Sequence, residues 1–208
     1  MSRLIVSDED VAEGAAWLAR AEPRFADALS LTGPLPLRLA PDGFAAVLNK
    51  IVSQQVSVAS AAAIWGRVEA AGLLTPQAVA GARDEDLRAV GLSRPKMKYA
   101  RALAAADIDY AALRGAPDAT VIDELTAVPG IGVWTAQVYA MFNLGRADVF
   151  APGDLALQEA ARILFDLDTR PKPKELEQMA LAWSPWRAVA ARLLFTYYRI
   201  AKNREGIT

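Results

Sequence analysis

Apolar residues recur at helical spacing along most of the chain, and the alternation typical of β-strands is absent. A first helix is predicted after Ser7, which fits an N-cap because Asp10 follows three positions later. Pro23 is expected to begin a second helix in its first turn. Asp42 is expected to cap a third helix. The Ala-rich stretch 57–71 is predicted to form a fourth helix, buried on much of its surface.

The stretch 33–41 interrupts this pattern with three prolines and is predicted to be an extended connector that crosses from one part of the fold to another. Residues 1–41 are therefore assigned to N-terminal helices and a connector packing on the second lobe, and residues 42–208 to a single compact unit. Further helices are predicted at 75–80, 84–90, 93–106, 118–127, 132–143, 154–165, 173–183 and 185–203. Roughly ten helices with short connections indicate an all-α protein.

The composition excludes several kinds of chemistry. The 208 residues include no Cys and no His, which excludes disulfides, thiolate zinc sites, iron–sulfur clusters and imidazole catalysis. Any catalysis therefore depends on carboxylates, Lys, Tyr, Ser or Thr, or on a bound cofactor. No signal peptide and no apolar run near ~18 residues is present, so a cytoplasmic protein without a membrane partner is expected.

The charges nearly cancel, with 23 Lys and Arg against 24 Asp and Glu, so a nucleic-acid partner must be argued from local charge. The stretch 185–204 contains five cations and no acid: Arg187, Arg192, Arg199, Lys202 and Arg204. Such a run is usually a solvated helix face. It could also bind phosphates, and binding would then weaken steeply with salt.

The most informative stretch is 125–137, with the sequence LTAVPGIGVWTAQ. A helix has to stop at Val128 because Pro129 follows, and Gly130 and Gly132 permit a tight turn. A new helix starts at once, and its first N–H groups can bind a phosphate oxygen. The turn alone is equally compatible with an ordinary corner between two helices.

Together with four other stretches, in the same order, this hairpin resembles the helix-hairpin-helix (HhH-GPD) DNA glycosylase superfamily, specifically its AlkA-like branch, the 3-methyladenine DNA glycosylase II type. The other stretches are KIVSQQVS at 50–57, VGLS at 90–93 with Lys96, DVFAPGDLA at 148–156 and WSPWR at 183–187. The resemblance covers about residues 42–203. It implies two helical lobes with a DNA-binding cleft between them, and the hairpin on one wall of that cleft.

The resemblance implies that Asp154 is the catalytic aspartate. The sequence separately predicts that Asp154 is a helix N-cap, because it follows Gly153 and precedes an apolar helix. Both roles are compatible, since N–H donors at a helix start favour an ionised carboxylate. That carboxylate would stabilise an oxocarbenium-like sugar while the N-glycosidic bond breaks. The implied substrates are alkylated bases flipped from DNA, such as 3-methyladenine and 7-methylguanine.

Relatives that also cut the DNA backbone have a Schiff-base Lys where this chain has Trp134, so a monofunctional glycosylase without AP-lyase activity is expected. Trp134 can instead stack on an extruded base. The resemblance also places Val138 and Phe195 in the substrate pocket. Val138 stands where the family has a Tyr, and Phe195 fits a core position equally well.

The loop at 53–55 is expected to contact the duplex. Gln55 should fill the gap that the extruded base leaves, and Gln54 should contact the DNA around it.

The resemblance also implies hairpin contacts to DNA, from Pro129, Gly130, Ile131, Gly132 and Thr135. In the family, hairpin carbonyls bind a Na⁺ or K⁺ ion that bridges to a phosphate, and the corresponding residues are Thr126, Val128 and Ile131. No cofactor for catalysis is expected. The expected partner is damaged double-stranded DNA, bound by a nucleoid-associated monomer.

Two alternatives remain open. One is a non-catalytic helix-hairpin-helix module that binds damaged DNA, for which replacing Asp154 would have no effect. The other is a helical metabolic enzyme or interaction protein that contains the turn by chance, in which case DNA affinity would show no salt dependence.

Overall fold

The computed structural model describes residues 3–204, with side chains for residues 3–202. The described residues form thirteen α-helices, one short 3₁₀ helix and no strand, which confirms the all-α prediction. In chain order the helices are α1 (Asp8–Ala21), α2 (Pro23–Thr32), α3 (Phe44–Ser53), α4 (Val58–Ala70), α5 (Pro76–Gly81), α6 (Asp84–Ala89), α7 (Arg94–Ala105), α8 (Tyr110–Gly115), α9 (Asp118–Thr126), α10 (Val133–Phe142), α11 (Leu155–Leu164), α12 (Pro173–Ala180), the 3₁₀ helix (Leu181–Trp183) and α13 (Arg187–Arg204). None of the described helices has the length and hydropathy needed to cross a membrane.

The chain divides into two compact units. The first comprises Met1–Ala40 and Ala140–Thr208, and the second comprises Pro41–Tyr139. The predicted partition into 1–41 and 42–208 does not coincide with this division, because the N-terminal helices share a unit with the C-terminal ones. The extended connector ends at the boundary between the two units, as a crossing segment should.

Backbone hydrogen bonds attach the N-terminal segment of the first unit to the segment that follows α10. The Ile5 N–H donates to the Gly145 carbonyl at 2.7 Å, and the Ala147 N–H donates to the Arg3 carbonyl at 3.0 Å. In the same unit α13 packs against α1, α2 and α11. Gly14 allows α1 to approach α13 closely, since a Cβ at position 14 would lie 2.6 Å from the Val189 side chain.

The predicted helix starts at Ser7 and Pro23 are confirmed. The Ser7 hydroxyl accepts a hydrogen bond from the Asp10 N–H, and the Asp10 carboxylate accepts one from the Ser7 N–H, which completes a capping box. Pro23 is the first residue of α2.

Asp42 is not the cap of α3, contrary to the prediction. Gly43 precedes this helix without a side-chain cap, and the Asp42 carboxylate instead accepts two hydrogen bonds from Arg114, at 2.7 and 2.8 Å. These bonds to the guanidinium hold the pKa of Asp42 below its usual value. Asp42 therefore connects the start of α3 to α8.

The predicted burial of α4 is also wrong. Only Val68 of this helix is buried, and Val58 is 88% exposed. Alanine has the highest helix propensity of all residues, so a run of alanines predicts a helix without predicting burial.

Arg192 lies in the core of the first unit, where its side chain is fully buried. Its guanidinium donates hydrogen bonds to the carbonyls of Leu37 and Ala188, both at 2.9 Å, and lies 4.9 Å from the centre of the Phe142 ring. Burial lowers the pKa of Arg192 to about 10. The residue stabilises the connector against α13 instead of facing solvent.

Arg187 forms an ion pair within the protein. It donates to both carboxylate oxygens of Asp148, at 2.8 and 2.9 Å, and the Ser184 hydroxyl donates to the same carboxylate at 2.8 Å. Two stretches that the family resemblance singled out are thus bonded to each other. The predicted five-cation face is wrong for Arg187 and Arg192, and the Arg204 side chain lies outside the described residues.

Candidate functional site

The hairpin between α9 and α10 requires glycine at one position. Gly130 has a φ of +91°, and a Cβ on it would lie 2.2 Å from Cγ of the Tyr99 ring. Only glycine tolerates both the backbone conformation and the close contact. The Ile131 N–H donates to the Val128 carbonyl at 3.1 Å and closes the turn.

The hairpin residues expected to contact DNA differ in exposure. Pro129 and Gly132 are exposed, whereas the side chains of Ile131 and Thr135 are buried. A contact from the two buried residues would therefore have to use the backbone. The Ala136 N–H donates to the Gly132 carbonyl at 3.1 Å, so α10 begins directly after the turn, and the anion site at its start stays a prediction.

The loop after α3 is held against the hairpin by a side chain. The Gln54 amide donates to the Gly130 carbonyl at 2.9 Å. In the next position Gln55 is exposed and has a φ of +55°, a conformation that is uncommon outside glycine and that often marks functional sites. The two glutamines thus have different roles, one anchoring the loop and the other projecting from it.

A cavity of about 510 Å³ lies between this loop and α10. Its lining residues are Asn49, Lys50, Ser53, Gln54, Gln55, Trp134 and Val138. The volume is within the range of small-molecule sites, roughly 300–1,000 Å³. Trp134, with 44% of its surface exposed, and Val138 are both part of the lining, so the structure brings together four residues that the sequence analysis had selected.

Lys50 is, with Asn49 and Ser53, one of three cavity residues that were not predicted as site residues from the sequence, and it is the charged one. It is half-buried near the C-terminus of α3, and burial lowers its pKa to about 8. The signal in the sequence is a lysine next to the apolar residues Leu48 and Ile51, one helical turn before Gln54.

Asp154 belongs to the first unit and is the N-cap of α11, as predicted. One carboxylate oxygen accepts hydrogen bonds from the N–H groups of Ala156, at 2.8 Å, and Leu157, at 3.2 Å. The Gln158 amide donates to the Pro152 carbonyl at 2.8 Å and fixes the preceding turn. The carboxylate is therefore held in place by the start of the helix.

Phe195 also belongs to the first unit, on α13. Its ring centre lies 6.3 Å from that of Phe142, and the Arg38 guanidinium lies 5.5 Å from the Phe195 ring. The side chain is half-buried in this cluster, and its pocket role stays a prediction.

The predicted cation site consists of backbone carbonyls. Val128 and Ile131 are buried in the hairpin, and the Thr126 hydroxyl donates back to the Ile122 carbonyl at 2.8 Å. Within residues 3–204 no group of three or more Asp, Glu, His or Cys side chains could hold a metal ion.

The chain is similar to several known proteins. Residues 48–186 match the family described as "HhH-GPD superfamily base excision DNA repair protein". YfjP of Bacillus subtilis, a proposed DNA-3-methyladenine glycosylase, is 31% identical over 58% of this chain and 43% of its own length. DNA-3-methyladenine glycosylase 2 of Escherichia coli is 32% identical over 76% of this chain and 57% of its own length. The chain thus spans about half the length of these two relatives.

A solved structure matches more completely. The crystal structure of a DNA-3-methyladenine glycosidase from Bacillus halodurans has a TM-score of 0.80 and 34% sequence identity, covering 89% of this chain and 88% of that one.

Proposed function

Because the chain belongs to the HhH-GPD superfamily of base excision DNA repair proteins, we propose that it is a monofunctional DNA glycosylase acting on alkylated bases flipped from DNA. The names of its relatives make 3-methyladenine the first candidate substrate, and the family resemblance adds 7-methylguanine. The observation that carries the proposal is the cavity lined by Trp134 and by Gln54 and Gln55, because the Gln54–Gly130 hydrogen bond couples this cavity to the hairpin.

In this proposal the cavity receives the extruded base. The exposed part of Trp134 offers an aromatic face for stacking, and a positively charged alkylated purine would gain a cation–π attraction of ~0.5–2 kcal/mol. Gln55 projects from a left-handed turn at the rim of the cavity and fills the space that the base leaves in the duplex. Hairpin amides bind a neighbouring phosphate.

Asp154 supplies the charge for bond cleavage. The base leaves with the electron pair of the N-glycosidic bond, and positive charge develops on the sugar. The Asp154 carboxylate stabilises that charge, and water then adds at C1′ and loses a proton. Because the carboxylate is fixed by two N–H groups, little reorganisation is needed when the charge appears.

We also propose that the enzyme leaves the DNA strand intact. Strand cleavage by relatives in this family requires a lysine amine that forms a Schiff base with the sugar, and Trp134 occupies that position. The product is then an abasic site in an unbroken strand.

The proposed partner is damaged double-stranded DNA, bound by a monomer at the chromosome. The carbonyls of Thr126, Val128 and Ile131 would hold a Na⁺ or K⁺ ion that neutralises a phosphate. Neutral oxygen ligands suit such a hard cation, and the Val128 carbonyl retains a lone pair beside the one that accepts the Ile131 N–H.

The test is base release from duplex DNA containing 7-methylguanine or 3-methyladenine. The wild type should release the base, and Asp154→Asn should lower the rate by at least ~100-fold. Asparagine is as good an N-cap as aspartate, so α11 should stay folded. Asp109→Asn is a matched control, because Asp109 caps α8 with the same pair of bonds, from the N–H groups of Ala111 and Ala112.

Equal release by Asp154→Asn and the wild type would contradict the mechanism and favour a binding module. A covalent adduct trapped by borohydride on abasic DNA would contradict the absence of lyase activity.

A further inference from the structure

The Lys50 ammonium lines a cavity of the second unit. Among the described residues no hydrogen bond or ion pair to its Nζ atom is found, and burial alone accounts for its lowered pKa. The Nζ atom is not enclosed, because it is not one of the buried side-chain atoms that lack a hydrogen-bond partner, so it can donate hydrogen bonds to a molecule in the cavity.

Lys96 provides the comparison within the same unit. Its side chain is buried, and its Nζ donates to the Val52 carbonyl at 2.7 Å, near the C-terminus of α3. The protein thus supplies a partner for the ammonium that it buries for structural reasons. The Lys50 ammonium has donors available for a molecule in the cavity.

The charge of the cavity follows from its lining. Besides Lys50 the lining residues are all neutral: Asn49, Ser53, Gln54, Gln55, Trp134 and Val138. A base carrying a positive charge would therefore be repelled by Lys50 while being attracted by the Trp134 ring, and charge–charge interactions are strong where water is excluded. A neutral base presents ring nitrogens and carbonyl oxygens that accept a charge-assisted hydrogen bond.

We propose that Lys50 determines substrate specificity by donating a hydrogen bond to a ring nitrogen or carbonyl oxygen of a neutral extruded base and by disfavouring positively charged bases. This inference rests on the proposed function, because it takes the cavity as the base pocket. Within the alkylated bases it predicts a relative preference: Lys50 favours a neutral base, such as 1,N⁶-ethenoadenine, over the positively charged 7-methylguanine, although both can be released.

The same hydrogen bond assists the reaction. A neutral base departs with the electron pair of the glycosidic bond and becomes negatively charged, so its hydrogen bond to the ammonium strengthens in the transition state. A positively charged base becomes neutral on leaving and needs no such donor. Lys50 should therefore contribute to the turnover of neutral bases as well as to their binding.

The experiment compares two duplexes that carry 1,N⁶-ethenoadenine or 7-methylguanine at the same position. For each enzyme the measured quantity is the ratio of kcat/KM for the neutral base to kcat/KM for the charged base. Lys50→Met keeps the length of the side chain but removes the ammonium, and it should lower this ratio at least tenfold. Lys50→Gln retains a neutral donor and should give an intermediate ratio.

Lys98→Met is the matched control, because Lys98 is exposed on α7 of the same unit and does not line the cavity. It removes the same charge, and it should leave the ratio at the wild-type value even if it changes overall DNA affinity.

The remaining outcomes separate the specificity role of Lys50 from the proposed function. An unchanged ratio in folded Lys50→Met, or an equal loss on both substrates, overturns the specificity role while leaving the proposed function intact. A wild type that releases 7-methylguanine but no ethenoadenine also overturns it. A wild type that releases neither of these bases nor 3-methyladenine contradicts the proposed function itself, and the inference with it.

Discussion

Lys50 should make the stability of the fold depend on pH in the alkaline range. Folding lowers its pKa from 10.5 to about 8 because the ammonium is partly buried. The charged side chain therefore destabilises the folded state below pH 8, and this penalty disappears as the pH rises from 8 to 10.5. We expect Lys50→Met to raise the free energy of unfolding at pH 7 by more than at pH 10.5.

The measurement is urea unfolding of both proteins at the two pH values. The difference between variant and wild type is used because other titrating groups then cancel. A gain of equal size at pH 7 and pH 10.5 would contradict the lowered pKa.

Single residues were predicted well when their partners are close in sequence. The caps at Ser7 and Asp154 involve N–H groups two or three positions later, so a short stretch of sequence contains the whole interaction. Asp42 and Arg192 were misassigned because their partners Arg114 and Leu37 lie 72 and 155 positions away. Sequence gives the residue type at such positions but not the partner that decides its environment.

At the scale of elements, the hairpin should depend on one of its two glycines for stability. Gly130→Ala places a methyl group 2.2 Å from the Tyr99 ring at a φ of +91°, and we expect it to lower the free energy of unfolding by at least ~2 kcal/mol. Gly132→Ala meets open space and has no positive φ, so a loss below ~1 kcal/mol is expected.

Chemical denaturation of the two variants provides the measurement, since each differs from the wild type by one methyl group in the same turn. Equal losses in both variants would mean that the contact with Tyr99 does not determine the turn.

The helices themselves were largely predictable, because periodicity and caps are local signals. The short α8 was not predicted because its six residues, Tyr110–Gly115, offer too little periodicity to detect. Within the site, the hairpin and the glutamine loop were predicted as separate motifs. Their connection through Gln54 and Gly130 depends on packing between elements 76 positions apart, which no local pattern records.

For the whole molecule, the discontinuous first unit could not have been inferred from a single sequence. Residues 1–40 join Ala140–Thr208 through the pairing of Ile5 with Gly145 and through Arg192. Neither contact produces a periodic pattern of apolar residues, so neither can be predicted from the sequence. The connector 33–41 was nevertheless recognised, because its prolines exclude a helix.

Burial of Arg192 and the pairing of Arg187 with Asp148 also change the expected salt dependence of DNA binding. Five phosphate contacts from residues 185–204 would give a slope of log K against log [salt] near −4.5, at about −0.9 per contact.

Of the described side chains, Arg199 is exposed and Lys202 is half-buried on α13. Replacing both by Gln should make the wild-type slope shallower by about 1.8, whereas Lys174→Gln, on exposed α12 surface of the same unit, should leave it unchanged. Fluorescence anisotropy with an undamaged duplex between ~50 and ~200 mM salt measures all three slopes, and identical slopes would exclude α13 as a phosphate-binding helix.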